Sequence, residues 1–334
     1  VTSIGGSAFS GCTGLTEVMV PDSVKSIGYA AIDGCTGLIS IALPFVGADE
    51  EGTCNIDISS IFGYELPESL KSVTIAAGSI DTYAFYGCTG ITSVTLGDGV
   101  TSIGGYAFFD CSDLTSMTIG DGVTSIGEYA FYGCTDLTSI TLGNGLTSIE
   151  QFAFENCISL TSIVIPDSVI SIGKAAFESC SGLTDVTIGN SVISIGDFAF
   201  DNCTGLTSVT IGNAVTSIGV QAFCRCSSLT SVTFGDAVTS IGYLAFYECT
   251  GLTSITLPDS VTSIDKFAFD SCTGLTSVTI PDSVTNIGYG AFEGCTGLTD
   301  IYYTGTEEEW MALTENNDSL TQITIHYNWT NDNP

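Results

Sequence analysis

Residues Leu206 to Cys226 read L-T-S-V-T-I-G-N-A-V-T-S-I-G-V-Q-A-F-C-R-C, and close variants of this phrase return every 23 residues. Its final cysteine marks the step: cysteines stand at 88, 111, 134, 157, 180, 203, 226, 249, 272 and 295, and Cys12 and Cys35 keep the interval before an interruption. A fixed period of about 20 to 50 residues is the signature of a solenoid, in which each repeat stacks only on its neighbours. Within the phrase, Leu206, Val209, Ile211, Val215, Ile218, Ala222, Phe223 and Cys226 mark the recurring apolar positions.

These positions divide into short elements. Val209-Thr210-Ile211 alternates apolar and polar residues with β-branched side chains, as a half-buried strand does. Val215 to Ile218 reads as a second extended segment on the other side of the coil. Between them fall pairs such as Pro21-Asp22, Gly97-Asp98, Gly120-Asp121 and Pro166-Asp167, each suited to a turn. The Ala-Phe-x-x-Cys corner is too short for an α-helix and is expected to form a single helical or 3₁₀ turn. One coil cannot bury its own apolar edge, so equivalent strands should pair between coils about 4.8 Å apart. Strands counted from Leu15, Leu38, Leu70 and Ile91 through to Leu298 and Leu320 number fourteen. The expected fold is therefore α/β or mostly β: about fourteen stacked coils of 23 residues, a parallel sheet on one face and a C-terminal helix-strand cap.

Leu275 to Cys295 carries the pattern L-x-x-V-x-I-P-x-S-V-x-x-I-G-x-x-A-F-x-x-C whole. It resembles the repeat of the BspA-like (Treponema pallidum-type) leucine-rich repeat surface protein family, and the likeness covers residues 1–300. The resemblance implies a leucine-rich-repeat solenoid on a cell surface or secreted, without shared catalytic residues or cofactor. It implies binding or adhesion to a protein ligand, such as a host matrix or surface protein, without naming one. A monomer is expected.

The period fails in two places. Between Cys35 and Cys88, the stretch 44–69 replaces the usual turn, second strand and corner, and lacks the ladder cysteine. It holds Phe45, the acidic run Asp49-Glu50-Glu51, Cys54, and then Ile61-Phe62. Insertions in repeats map to loops on one face, often the binding face; the alternative is a drifted repeat that tolerates a bulge. The second departure, 301–334, reads as a cap. Thr306 to Glu309 forms a capping box, Trp310, Met311 and Leu313 give a short helix an apolar face, and Leu320, Ile323 and Ile325 form a last strand before a polar tail from Asn328. The chain opens in mid-repeat at Val1-Thr2-Ser3-Ile4-Gly5, which implies a preceding segment.

With 37 acidic against 5 basic residues the net charge is −32. Such a surface repels phosphate backbones and excludes nucleic acid as a partner. It either attracts basic proteins and divalent cations or simply keeps a strand-rich solenoid soluble. No apolar run approaches the length of about 18 residues needed to span a membrane. Stacked cysteines about 4.8 Å apart with parallel side chains suit a reduced ladder of small apolar fillers better than disulfides. Cys54 and Cys224 lie off that ladder, and Cys224, beside Arg225 at an outward corner position, is the expected reactive thiol.

Catalytic and metal chemistry find little support. His326, the lone histidine, has no evident partner and reads as a residue of the capping strand. Gly97-Asp98-Gly99 and its equivalents read as turns, not phosphate loops. Asp22, Asp98, Asp121, Asp167, Asp236, Asp259 and Asp282 share one turn position and could line up for Ca²⁺. Asn144, Asn190 and Asn213 replace them there, which fits turn formation better. The aromatic residues are the stronger signal. Tyr83 with Tyr86, Tyr106 with Phe109, and Tyr129 with Tyr132 recur at the corners of three successive coils. With Phe45, Asp49, Glu50 and Glu51 they form the candidate binding surface, since exposed tyrosines give contact area at low entropy cost. Their alternative roles are sugar stacking, in a glycan-binding module, or mere shielding of the coils in a structural spacer.

Overall fold

The computed structural model describes residues 1–46, 57–314, 320 and 323–330. The chain forms two compact units, Val1–Leu160 and Thr161–Pro334. In the first, parallel strands Glu17–Met19, Ser40–Leu43, Ser72–Ile80, Ser93–Ile103, Ser116–Thr118 and Ser139–Thr141 pair in chain order. In the second, Ser162–Ile165, Asp185–Ile188, Ser208–Thr210 and Ser231–Thr233 form one parallel ladder. Ser254–Thr256, Ser277–Ile280, Asp300–Tyr303 and Thr324–His326 form another. These are the fourteen strands that the repeat predicts. Two-residue strands such as Ser194–Ile195, Ser217–Ile218 and Ser240–Ile241 pair in parallel on the second side of their coils.

Register follows from composition. Leu206, Val209, Ile211, Val215, Ile218, Ala222, Phe223 and Cys226 are all at most 2% exposed, so the apolar phrase is the core itself. Phenylalanines stack into a column: Phe85, Phe108, Phe131 and Phe154 in the first unit, with centroids 4.8 to 5.1 Å apart. Phe177 through Phe292 repeat it in the second, from 5.1 to 5.3 Å. Burying one such ring is worth about 1.5–3 kcal/mol before entropy. Outside the core, threonines rivet the coils together. Thr207 Oγ1 donates to the Thr184 carbonyl at 2.9 Å, and Thr230 Oγ1 to that of Thr207 at 3.0 Å.

The corners correct the expectation of a helical turn. In the coil around Phe108, the N–H groups of Ala107, Phe109 and Cys111 donate back to Gly104, Tyr106 and Phe108. The alternate N–H groups of Tyr106, Phe108 and Asp110 donate instead to Glu128, Ala130 and Tyr132 of the next coil, at 2.7 to 2.9 Å. A 3₁₀ turn would consume its N–H groups internally and leave adjacent corners unbonded. Consecutive β-turns divide them evenly, but they need positive φ, which Tyr106 (57°) and Asp110 (53°) adopt. The same two corner positions take positive φ in coil after coil, at Phe198 and Asn202 and at Gln221 and Arg225.

The described part of the irregular stretch 44–69 holds regular structure. A 3₁₀ helix, Ile58–Phe62, takes the place of the missing corner and buries Ile58, Ile61 and Phe62. Ala30 and Ile32 donate to its Ser60 and Ile61 carbonyls, both at 2.9 Å. Phe45 is buried as well, so part of this segment is core, not a free loop. Asp49, Glu50, Glu51 and Cys54 lie outside the described residues. Gly97-Asp98-Gly99 is not a turn: strand Ser93–Ile103 runs through it. This coil is short, so its 21-residue offset at Ser72↔Ser93 widens through bulges to 23 at Ile80↔Ile103.

At the C-terminus, helix Glu307–Leu313 starts at the complete Thr306–Glu309 capping box. The bonds from Thr306 hold the Glu309 carboxyl below its usual pKa. Trp310 is buried against Tyr303, with centroids 5.1 Å apart, but Met311 points to solvent, contrary to the expected apolar face. Trp329 is not part of a polar tail; its ring lies on Tyr302 at 4.3 Å.

Two glycine substitutions separate the backbone constraints. Gly87 has φ of 65° with nothing near its missing Cβ, so Gly87→Ala should cost only the left-handed backbone term, about 1 kcal/mol. A Cβ on Gly212 would sit 2.1 Å from the Gly189 carbonyl oxygen, so Gly212→Ala should cost about 3 kcal/mol. Urea unfolding midpoints of the two variants check the order and the gap.

Candidate functional site

The corner turns of the first unit set the candidate surface. Positive φ at Tyr83, Tyr106 and Tyr129 turns each corner at the same point, and register superposes equivalent residues one coil apart. Tyr83, Tyr106, Tyr129 and Phe152 thereby form one row, with centroids 5.2, 5.0 and 4.6 Å apart and planes within 26°. Tyr86, Phe109 and Tyr132 form a second row at 5.0 and 4.7 Å, within 9° of parallel. The rows meet edge-on or tilted, as at Tyr83–Tyr86 and Tyr129–Tyr132. The structure thus unites the six predicted aromatic residues and adds Phe152, which the sequence reading passed over although the 23-residue step from Tyr129 points to it. Phe45 is not among them.

The geometry decides what this surface can offer. Centroid spacings near 5 Å match the strand spacing of about 4.8 Å, so the ring faces are spent on one another. What the stacking leaves to solvent is the rest of each ring, its edge and, on the tyrosines, the phenol group. Ring edges carry the positive end of the quadrupole and phenol groups both donate and accept, which suits carbonyl-rich surfaces. Tyr83 and Tyr86, at the end of the rows, are 50% and 52% exposed, while Tyr106, Phe109, Tyr129 and Tyr132 are half-buried. Desolvation, with smaller contributions from nearby carboxylates such as Glu128 and Glu155, raises the phenol pKa of Tyr106 and Tyr129, so their hydroxyls keep their protons.

The cysteines are structural. Cys111, Cys134 and Cys157 donate Sγ–H to the carbonyls of Phe85, Phe108 and Phe131 at 3.0 to 3.2 Å, and Cys203 through Cys295 repeat the bond. The described cysteines are free thiols. Cys224 corrects the sequence reading: it is fully buried, and burial pushes its thiol up to about 12, with Asp201 adding to the effect. Arg225 reaches Asp201 and Glu248, at 3.8 and 3.9 Å. Asp201 is itself buried, which raises its pKa.

The remaining candidates resolve into structure. His326 does have a partner: its Nε2 lies 2.7 Å from Asp300 Oδ1, and its ring stacks on Tyr302 at 4.7 Å. Asp300 sits below the usual carboxylate range for that reason. Two of the turn acids bond to the next coil, Asp121 Oδ1 accepting from Asn144 N at 2.7 Å and Asp167 Oδ1 from Asn190 N at 2.6 Å. Asn190 does the same for Asn213, which explains why Asp and Asn interchange. Among the described residues no group of three His, Cys, Asp or Glu side chains could hold a metal. No helix among them is long and apolar enough to cross a membrane.

The BspA type leucine rich repeat region, in six copies, matches residues 1–73, 57–184, 147–250 and 216–331. Among solved structures, a leucine-rich repeat protein from Bacteroides ovatus is 29% identical, with a TM-score of 0.67 over 98% of this chain and 87% of that one. A leucine rich cell surface protein from Faecalibacterium prausnitzii is also 29% identical, with a TM-score of 0.43 over 94% of this chain and 86% of that one. The T. pallidum leucine rich repeat protein is 33% identical, with a TM-score of 0.47 over 52% of this chain and 82% of that one. No curated protein matches.

The buried thiols predict an alkaline limit. Cys88 and Cys224 are held at about 12 against an ordinary value of 9.0. The unfolded chain releases these protons first, so their stabilising contribution is full below pH 9 and lost as pH rises towards 12. The urea midpoint should therefore fall steadily above pH 9. Iodoacetamide at pH 8 should label exposed Cys12 in the native protein, and Cys224 only after unfolding.

Proposed function

This chain belongs to the BspA type leucine-rich repeat family, and on that premise we propose that it is a non-catalytic, cell-surface or secreted protein that binds other proteins, as an adhesin does. Proteins of this repeat class serve as interaction scaffolds, and the proposed extracellular placement follows from the family. The observation that carries the binding reading is the double aromatic row of the first unit, whose faces are closed and whose edges and hydroxyls are open.

That arrangement favours a protein ligand over a glycan. A sugar ring stacks on an aromatic face, and along these rows each inner face is already covered by a neighbour. Protein backbone and polar side chains instead meet ring edges and phenols well. The mutual stacking also holds the rings in place before binding, which lowers the entropy lost on association. The exposed serines and threonines of the sheet, such as Thr207 and Thr210, supply shallow polar contact beside this anchor.

The test is a binding panel of extracellular-matrix proteins and glycans, with and without Ca²⁺, using the chain and its Tyr106→Ala/Tyr129→Ala variant. Alanine already occupies the same corner position at Ala30 and Ala175, so the variant should fold. Saturable protein binding should weaken by about thirtyfold or more, the combined loss at the two tyrosines being at least the roughly 2 kcal/mol of one hot-spot residue. Binding to glycans alone would favour the sugar module. Silence across both panels, with the fold verified, would favour a spacer.

A further inference from the structure

We propose that the cleft at the irregular coil, walled by Tyr64 and Tyr86, receives an arginine side chain from a basic partner surface. This deepens the protein-binding reading and rests on it. Tyr86 ends its row. Phe109 covers one face at 5.0 Å, and among the described residues no ring covers the other. Beyond it the 3₁₀ corner Ile58–Phe62 and the residues after it leave a cleft of about 380 Å³. Asp57, Tyr64, Leu66, Pro67, Glu68 and Tyr86 line it. Tyr64, paired with Tyr29 at 5.4 Å, is more exposed than Tyr86.

Size, shape and charge agree on the occupant. The volume lies at the small end of the range of about 300–1,000 Å³ for ligand sites, enough for one long side chain. Leu66 and Pro67 suit an aliphatic stem, while Asp57 and Glu68 bring two carboxylates and no lining residue is basic. Lys71 places its Nζ on the carbonyl of the lining residue Gly90, 3.1 Å away. A guanidinium is planar, stacks on a phenol face and presents paired N–H groups to a carboxylate, which an ammonium cannot do. In the second unit a cation lies over a corner ring within the chain: Lys174 Nζ is 5.5 Å from the centre of Phe198. A net charge of −32 draws basic surfaces towards the site from a distance.

The experiment titrates the chain with N-acetyl-arginine methylamide, the lysine analogue and the neutral citrulline analogue, followed by saturation-transfer NMR. The arginine compound should bind saturably, the lysine compound several-fold more weakly and the citrulline compound not at all. Tyr86→Ala, Tyr64→Ala and Asp57→Asn should each weaken arginine binding about threefold or more with thermal midpoints unchanged, as expected for loss of one cation–π or ionic contact at an open site. Tyr289→Ala, which removes an exposed tyrosine of the second unit, should leave it unchanged. Equal binding of citrulline or lysine, or binding that survives Tyr86→Ala and Asp57→Asn, would overturn the assignment. If no arginine compound binds, yet a partner is captured through Tyr106 and Tyr129, the cleft proposal falls and the protein-binding reading stands. Arginine binding with no partner captured would sink the reading and leave the chemistry of the cleft intact.

Discussion

The structure depends on a division of backbone hydrogen bonds at each corner. Alternate N–H groups close turns within a coil, and the others, such as those of Tyr106, Phe108 and Asp110, bond to the next coil. Two residues per corner accept a left-handed backbone to make this possible, tyrosine and phenylalanine among them. Each such residue costs of order 1–3 kcal/mol, which the packing around it must offset. Because corner bonds and strand bonds share one register within each unit, equivalent side chains superpose. Columns of phenylalanine, cysteine and threonine follow directly. The phenylalanine carbonyl shows how closely they interlock: Phe85 O accepts from Cys88 N at 3.1 Å and from Cys111 Sγ at 3.0 Å.

Superposition also determines what the surface can say to a partner. Residues repeated outside the core meet their own copies face to face. A tyrosine column therefore shows edges and hydroxyls, and a turn-aspartate column spends an oxygen on the next coil's amide, as Asp121 does on Asn144. The columns end where the repeat breaks. At the coil containing Ile58–Phe62 the aromatic row stops, Tyr86 loses its neighbour, and carboxylates from outside the repeat phrase enter the same space.

Much of this was legible in the residues. The cysteine step fixed the coil length, alternation at Val209-Thr210-Ile211 located the strands, and Thr306 with Glu309 marked the cap helix. The corner was not, because no residue type announces it. Glycine holds a left-handed position at Gly87, but Asp110 and Asn156 hold the same position one and three coils on. Cys224 looked outward because its neighbour Arg225 is polar; the chain turns between them, burying the thiol and sending the guanidinium to Asp201 and Glu248. The His326–Asp300 pair escaped a 23-residue register because the last strand is offset by one, with Thr324 opposite Asp300. Phe152 was within reach of a simple count from Tyr129.

Amide hydrogen exchange tests the central claim most directly. If corner N–H groups bond between coils, Tyr106, Phe108 and Asp110 will exchange as slowly as the strand amides of Met117 and Thr118, opening only when coils separate. Exchange of those corner amides at the rate of an exposed loop, with the strands still protected, would contradict it. The stacked aromatic rows would then lose the framework that holds their edges outward.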